Sequence, residues 1–292
     1  MKLAQKLRLV RGEVIGGSWT PYYLNPVLHL DPDNYSTQDI NSISRINRWR
    51  SSTDPNIEFH SYPNAEYGPY NENDGSVNNK RVAIFERNYT YLLESTSAQT
   101  ATLLSDVSSA WGFFVARKLD IGASSSDQCF ISFAKNDTEQ TRFIIGYDCY
   151  NLTSNQITIG GRRLDVIDKF TYTASLPGID VTKYHMALGI IDYVNDRIDL
   201  WIDGLLNNSK TNAFDSGGGN TSNTPSYNNR VCIGGPNAAV QSYIPASLAT
   251  LMIGTNRVPT ENEINKLFGY YAHYYALTDL LPSDHPYKTT SP

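Results

Sequence analysis

PTENEINKLFGYYAHYYALTDLLPSDHPYK, residues 259–288, reads as one helix and the chain that leaves it. Thr260 can accept from the free amides of a first turn while Glu263 reaches back to the Thr260 amide, the reciprocal pairing that starts a helix. Ile264, Leu267, Phe268, Tyr271 and Tyr275 then recur at i, i+3, i+4, i+7 and i+11, which places them on one face of a helix over 261–275. Burying that stripe contributes roughly 8–15 kcal/mol gross, before entropy is subtracted, so the helix is held by docking and not by propensity. An apolar surface must therefore lie beneath it.

Upstream, the sequence supplies such a surface in short alternating runs separated by polar turn clusters, the pattern of a β-sandwich and not of strand–helix–strand units. Strands are predicted at Val27–Leu30, Ser44–Arg50, Arg81–Phe85, Tyr89–Leu93, Trp111–Lys118, Gln128–Ala134, Arg142–Cys149 and Gln156–Ile159. Further ones are predicted at Lys169–Ala174, His185–Asp192, Arg197–Ile202, Val231–Ile233 and Ala246–Ile253. In Arg197–Leu206, Ile198, Leu200 and Ile202 alternate with Asp199, Trp201 and Asp203, and Asp203-Gly204 supplies a hairpin turn. Residues 60–76 and 207–229 are predicted as loops, the latter carrying three consecutive glycines. The Gly16-Gly17 pair sets residues 1–20 apart as an N-terminal arm, leaving 21–292 as a single domain.

Composition agrees with this organisation and narrows the function classes. The chain has 292 residues, 40% hydrophobic and 18% charged, with 20 Tyr and 20 Gly, which favours strands and polar loops. The net charge of −5 is mild, and the basic residues cluster only at Lys2, Lys6, Arg8 and Arg11, which argues against a nucleic-acid-binding face. MKLAQKLRLVRG lacks the apolar core of about 7–15 residues that a secretory signal needs, and no run reaches membrane-spanning length. Synthesis in a cytoplasm is the expectation. Cys129, Cys149 and Cys232 have neither zinc-site nor disulfide-framework spacing; buried thiols are expected, with a Cys129–Cys149 bridge left open.

With these residues in view, the C-terminal segment resembles the concanavalin A-like (laminin G-like) jelly-roll superfamily, of the kind found in phage virion and bacterial surface proteins. Gly269, Tyr270, Ala272, Leu281, Pro282, His285, Pro286 and Tyr287 match the terminal helix and tail of that family. LHLDPDNYST (28–37), Ile46–Trp49, NNKRVAIFERNYTYLL (78–93) and YHMALGIIDYVNDRIDLWIDGLL (184–206) resemble its strands in the same order. Arg50 follows Trp49 where the family has Asp, and Glu86 follows Phe85 where it has Gly. The resemblance implies an all-β, two-sheet antiparallel jelly-roll sandwich with one C-terminal helix and an extended N-terminal arm.

Glycosidases on such a fold need two carboxylates close on one strand face. Asp196, Asp199 and Asp203 read instead as solvent-facing acids, and the five histidines are scattered, so no catalytic residue and no metal site is expected. Related lectin-like domains hold calcium with loop oxygens, and NENDG (71–75) and Ser124–Asp127 offer such oxygens without defined spacing; calcium is left open and no cofactor is expected. Sugar recognition needs an aromatic platform beside amides, and Tyr62, Tyr67 and Tyr70 in HSYPNAEYGPY and Tyr227, Asn228 and Asn229 in the 207–229 loop have those residue types.

The expected function is that of a non-enzymatic phage virion structural protein: a head or tail fibre, decoration or adhesin with host-surface glycan as ligand. Its arm (Lys2, Lys6, Arg8, Arg11) would attach it to other virion proteins, and it would assemble as a homo-oligomer, a trimer by expectation. Neither nucleic acid nor membrane insertion enters this reading. The alternatives are a carbohydrate-active enzyme or its accessory carbohydrate-binding domain, and a purely structural interaction protein.

Overall fold

A computed structural model describes residues 18–62, 68–86, 92–95, 98–121, 128–134, 141–149, 155–165, 168–224, 231–235 and 244–292. The strands are β1 (Leu28–Leu30), β2 (Gln38–Ile40), β3 (Ile46–Arg50), β4 (Glu58–Tyr62), β5 (Tyr70–Asp74), β6 (Lys80–Phe85), β7 (Leu92–Ser95), β8 (Ser109–Lys118) and β9 (Gln128–Ala134). They continue with β10 (Thr141–Tyr147), β11 (Ile157–Gly161), β12 (Thr171–Ala174), β13 (His185–Asp192), β14 (Arg197–Ile202), β15 (Leu205–Thr211), β16 (Val231–Ile233) and β17 (Ala246–Thr255). Helix α1 (Ala98–Thr102) follows β7, and α2 (Glu261–Tyr274) follows β17.

The strands form two antiparallel sheets. One runs β15-β14-β13-β8-β17-β6-β5 with β1 also paired to β17, and the other runs β12-β11-β10-β9-β16-β7-β4-β3-β2. Between them lies a core that includes Trp49, Phe59, Phe85, Phe114, Phe130, Phe133, Phe143, Ile159, Leu200 and Ile253. The outer face of the β17 sheet is itself apolar, with Phe113, Val115, Met186, Leu188 and Met252, and α2 covers it with Ile264, Leu267, Phe268, Tyr271 and Tyr275. The Phe113 ring stacks on Tyr271 at 5.0 Å between centroids and meets Phe268 edge-on at 5.6 Å. The fold expected from the sequence is thus the one found: a jelly-roll sandwich capped by a C-terminal helix.

Four strands and one helix depart from the sequence expectation. β2, β4, β5 and β15 were not predicted, and the first three of these have polar residues on both faces or only three to five residues, which erases the period-2 signal. β15 replaces the start of the predicted 207–229 loop; its LLNNSKT is exposed along almost its whole length, and its register comes from backbone pairing with β14. Likewise β4 and β5 occupy both ends of the predicted 60–76 loop. The short helix α1 adds to the single helix expected. All three cysteines are buried thiols, as expected.

The open edges β12 and β15 are joined by side chains in place of a further strand. Asn208 Nδ2 donates to the Ala174 carbonyl at 2.8 Å, and Asn207 Oδ1 accepts from the Leu176 amide at 2.8 Å. Such contacts cover backbone groups that would otherwise template aggregation.

The chain after α2 is fastened back onto the sandwich. Lys288 Nζ donates to the carbonyls of Thr278, Asp279 and Leu281 at 2.7, 3.2 and 2.7 Å, closing the tail on itself. His285 packs over the Asp203-Gly204 turn, where both residues have positive φ (52° and 90°). On the helix, a Cβ at Gly269 would lie 2.4 Å from the Cβ of Tyr287, so glycine is what lets tail and helix touch. Gly269→Ala should lower stability by about 1–3 kcal/mol despite its better helix propensity. Thermal unfolding and limited proteolysis check this: the midpoint should fall, and cleavage should begin in the tail.

Candidate functional site

The N-terminal segment enters the body at Trp19, inside the span expected as an arm. Pro21 starts a short 3₁₀ turn, Pro21–Leu24, its fixed φ suiting the first position, and Asn25 ends it in the left-handed region at φ 50°. Pro21 and Leu24 are buried, which turns Trp19 and Tyr23 outward along one side. Their rings run nearly parallel, 16° apart with centroids offset by 6.3 Å, and Trp19 meets the edge of Tyr270 on α2.

The opposite side is built by the β17–α2 connection and the first turns of α2. Thr260 and Glu263 form the reciprocal cap, the Thr260 amide donating to Glu263 Oε2 at 3.0 Å. Glu263 has a second duty: its other oxygen binds the Arg257 guanidinium, whose Nη1 donates to the Tyr23 carbonyl at 2.9 Å. Arg257 thereby pins the Trp19–Tyr23 wall to the helix. Between the walls lies an open groove of about 520 Å³ lined by Trp19, Tyr23, Arg257, Thr260, Asn262, Glu263 and Lys266.

The chemistry of this groove is set by what remains unpaired. Among the described residues, Asn262 and Lys266, one helical turn apart, make no hydrogen bond or ion pair, nor does the Tyr23 hydroxyl. A second groove of about 500 Å³ lies along β12 and β15, but its polar groups are engaged: Gln156 donates to the Ser175 carbonyl, Asn208 to that of Ala174, and Lys210 to Thr171. The first groove offers a ligand an amide, an ammonium, a phenol and two aromatic rings; the second offers a seam already closed.

Beneath the Trp19 wall, His29 is fully buried where three elements meet. Its Nδ1 faces the Tyr22 hydroxyl at 3.0 Å, and its Nε2 faces Thr250 Oγ1 at 3.2 Å and the Tyr271 hydroxyl at 3.3 Å. One imidazole therefore ties the N-terminal segment to β17 and to α2. Burial keeps it neutral, its pKa pushed down to about 4. Two residues on, burial pushes Asp31 up to about 6, although its carboxylate accepts the Asp33 amide at 2.9 Å.

Most residues singled out in the sequence lie elsewhere. Tyr67, Tyr227, Asn228, Asn229 and the basic Lys2, Lys6, Arg8 and Arg11 fall outside the described residues, and Tyr62 closes β4. Tyr70 is engaged within the protein: the Arg45 guanidinium sits 3.8 Å from its ring centre and also bonds its hydroxyl. The acids weighed for catalysis act as structural acceptors. Asp196 takes the Phe214 amide at 2.7 Å, Asp199 takes Arg197 Nε at 2.8 Å, and Asp203 takes His185 Nδ1 at 2.6 Å. Asp74 of the NENDG run pairs with Arg117 at 2.8 Å, and no cluster of metal-ligating side chains occurs among the described residues. Sequence reading missed Trp19, Arg257, Asn262 and Lys266; the available signal was SWTPYY, a Trp held two residues ahead of the proline that sets the turn.

No family model matches the sequence, and no curated protein matches it. Solved structures do. The binding domain of Paraclostridial Mosquitocidal Protein 1 superposes with a TM-score of 0.56 at 13% identity, over 85% of this chain and 53% of that one, so this chain spans about half of its length. Domain 4 of AbnA, an extracellular GH43 arabinanase from Geobacillus stearothermophilus, solved with arabinotriose, gives 0.50 at 12% identity over 83% of this chain and 97% of that one. The CBM40 of Ruminococcus gnavus IT-sialidase bound to α2,3-sialyllactose gives 0.43 at 14% identity, over 56% and 84%. At these identities the first two likenesses establish the fold alone, a two-sheet β-sandwich.

His29 and Asp31 set opposite pH slopes. The unfolded chain protonates His29 at about 6.5 and the folded chain only at about 4, so acidification through that window removes stability. Asp31 takes its proton at about 6 when folded against 3.8 when unfolded, so acidification between those values adds stability. Relative to the parent, Asp31→Asn should steepen the acid loss, and His29→Gln should flatten or reverse it. Urea midpoints across pH 4–6 measure both; slope changes of the same sign in the two variants would contradict this placement of the pair.

Proposed function

We propose that the chain is a non-enzymatic lectin-like module that binds saccharide in the Trp19 groove. The observation that carries this reading is the pairing of a two-ring aromatic wall with an amide, an ammonium and a phenol that no group among the described residues engages. A sugar ring presents C–H faces to aromatic rings and hydroxyls to such donors and acceptors, and the groove volume of about 520 Å³ falls within the range of small-molecule sites. The AbnA domain, similar in fold, was solved with arabinotriose, which supports the same reading. The structural engagement of Asp196, Asp199 and Asp203 supports its non-enzymatic part.

The wider context proposed is that of a phage virion, with this module displayed as part of a fibre, decoration or adhesin and assembled as a homo-oligomer. It is supported by the resemblance of the C-terminal segment to domains common in virion proteins and by the basic Lys2, Lys6, Arg8 and Arg11 ahead of the sandwich. Because Trp19 belongs to the groove, attachment is assigned to residues 1–17. Removing 1–17 should abolish recovery of the protein in purified particles while leaving its saccharide binding intact; full incorporation of the truncated chain would exclude that role.

Binding itself is tested by titrating neutral oligosaccharides, arabinotriose among them, against the parent and Trp19→Ala. Affinity should drop about tenfold or more in the variant, and the thermal midpoint should fall only as far as lost packing on Tyr270 requires, leaving the variant folded at the assay temperature. Tyr172→Ala, in the closed seam, should leave affinity unchanged. If Tyr172→Ala alone reduces binding, the saccharide lies in the β12–β15 groove. Release of reducing ends from a bound oligosaccharide would overturn the non-enzymatic reading.

A further inference from the structure

Resting on the reading of the Trp19 groove as a saccharide site, we infer that its ligand is acidic: a sugar carrying a carboxylate, such as a uronic or nonulosonic acid. The groove is lined by two cations, Arg257 and Lys266, against one carboxylate, Glu263. That single carboxylate is committed to Arg257 and to the Thr260 cap, so Lys266 has no counterion among the described residues. The chain as a whole carries −5, which makes this a local positive site on an acidic molecule.

The arrangement also selects among anions. Arg257 is held by Glu263 and the Tyr23 carbonyl, leaving Lys266 as the one uncompensated charge. One positive charge beside an amide suits a monoanionic carboxylate bonded by Lys266 and Asn262 while the sugar ring lies on Trp19. A doubly charged phosphate would retain excess negative charge next to Glu263, whose side chain is only 19% exposed and therefore weakly screened. Because Lys266 is half-exposed, the carboxylate adds a modest preference and not the bulk of the affinity.

The test uses the full chain and matched probes that differ in one group: cellobiouronic acid against cellobiose, trigalacturonic acid against galactotriose, and sialyllactose against lactose. In at least one pair the acid should bind roughly three- to tenfold tighter at low salt, a range expected for one charge-assisted contact at a half-exposed site. Lys266→Gln should erase that preference without weakening the neutral partner, whereas Trp19→Ala should weaken both members. Lys183→Gln, which removes an equally positive but distant and exposed side chain, should leave the preference in place.

Equal binding of acid and neutral members, or a preference that survives Lys266→Gln, would overturn the inference while leaving the groove a saccharide site. A preference lost equally in Lys183→Gln would assign it to net charge and overturn the inference as well. If no probe of either kind binds, the saccharide reading fails first, and the inference with it. Tighter binding of glucose 6-phosphate than of glucuronic acid would reassign the ligand to phosphorylated sugars.

Discussion

Strand β17 is buried on both faces and hydrogen-bonded along both edges, and the rest of the molecule is arranged around it. Nine of its ten residues are inaccessible to solvent. One edge pairs with β8 from Ala246 to Thr255, while the other is shared by β6 at its start and β1 at its end. A register shift between Leu248 and Thr250 switches which alternate residues face each core, from even numbers before it to odd numbers after it on the inner side. Ala246, Leu248, Leu251 and Ile253 face the space between the sheets, and Ala249 and Met252 face α2. A helix can dock on this sheet only because the sheet's outer face is as apolar as its inner one.

That second core brings polar groups into low-dielectric surroundings, and each of them is tied to a specific partner. His29 joins the N-terminal segment to β17 and α2 while remaining neutral. Elsewhere in the sandwich, Arg142 near the start of β10 pairs with Asp165 at 2.7 Å and reaches the Leu104 carbonyl, and Lys118 at the end of β8 pairs at 2.9 Å with Asp148, just past the other end of β10, all nearly inaccessible. Breaking one partner of such a pair leaves a buried charge uncompensated, so these pairs fix the loops they join more than they add to net stability. The segment that carries Trp19 is fixed in the same manner, through Tyr22 on His29 and Arg257 on the Tyr23 carbonyl.

The groove consequently sits on the layer that covers the sandwich and not on a sheet. One wall is a proline-set turn, the other the capped start of α2, and Glu263 serves both the cap and Arg257. Fold and site are thus separable in origin. The sandwich requires apolar alternation and a docked helix, whereas the groove requires only that the residues around that dock present unpaired polar ends. Chains that share the architecture at 12–13% identity need share none of those ends.

By itself the sequence determined the sandwich, the turn at Asp203-Gly204, the capped helix and its apolar stripe, because each is written in local periodicity or in the chemistry of adjacent residues. It left β5 and β15 as loops, since exposed edge strands carry no alternating apolar row and take their register from neighbours distant in sequence. It also set Trp19 in an arm, although a proline and paired tyrosines follow two residues on. Only the tertiary structure decided that Trp19 faces Asn262 and Lys266, more than 240 residues further along the chain. Unpaired polar groups become a site through that juxtaposition, and no local pattern records which distant side chains will be left without partners once the core has closed.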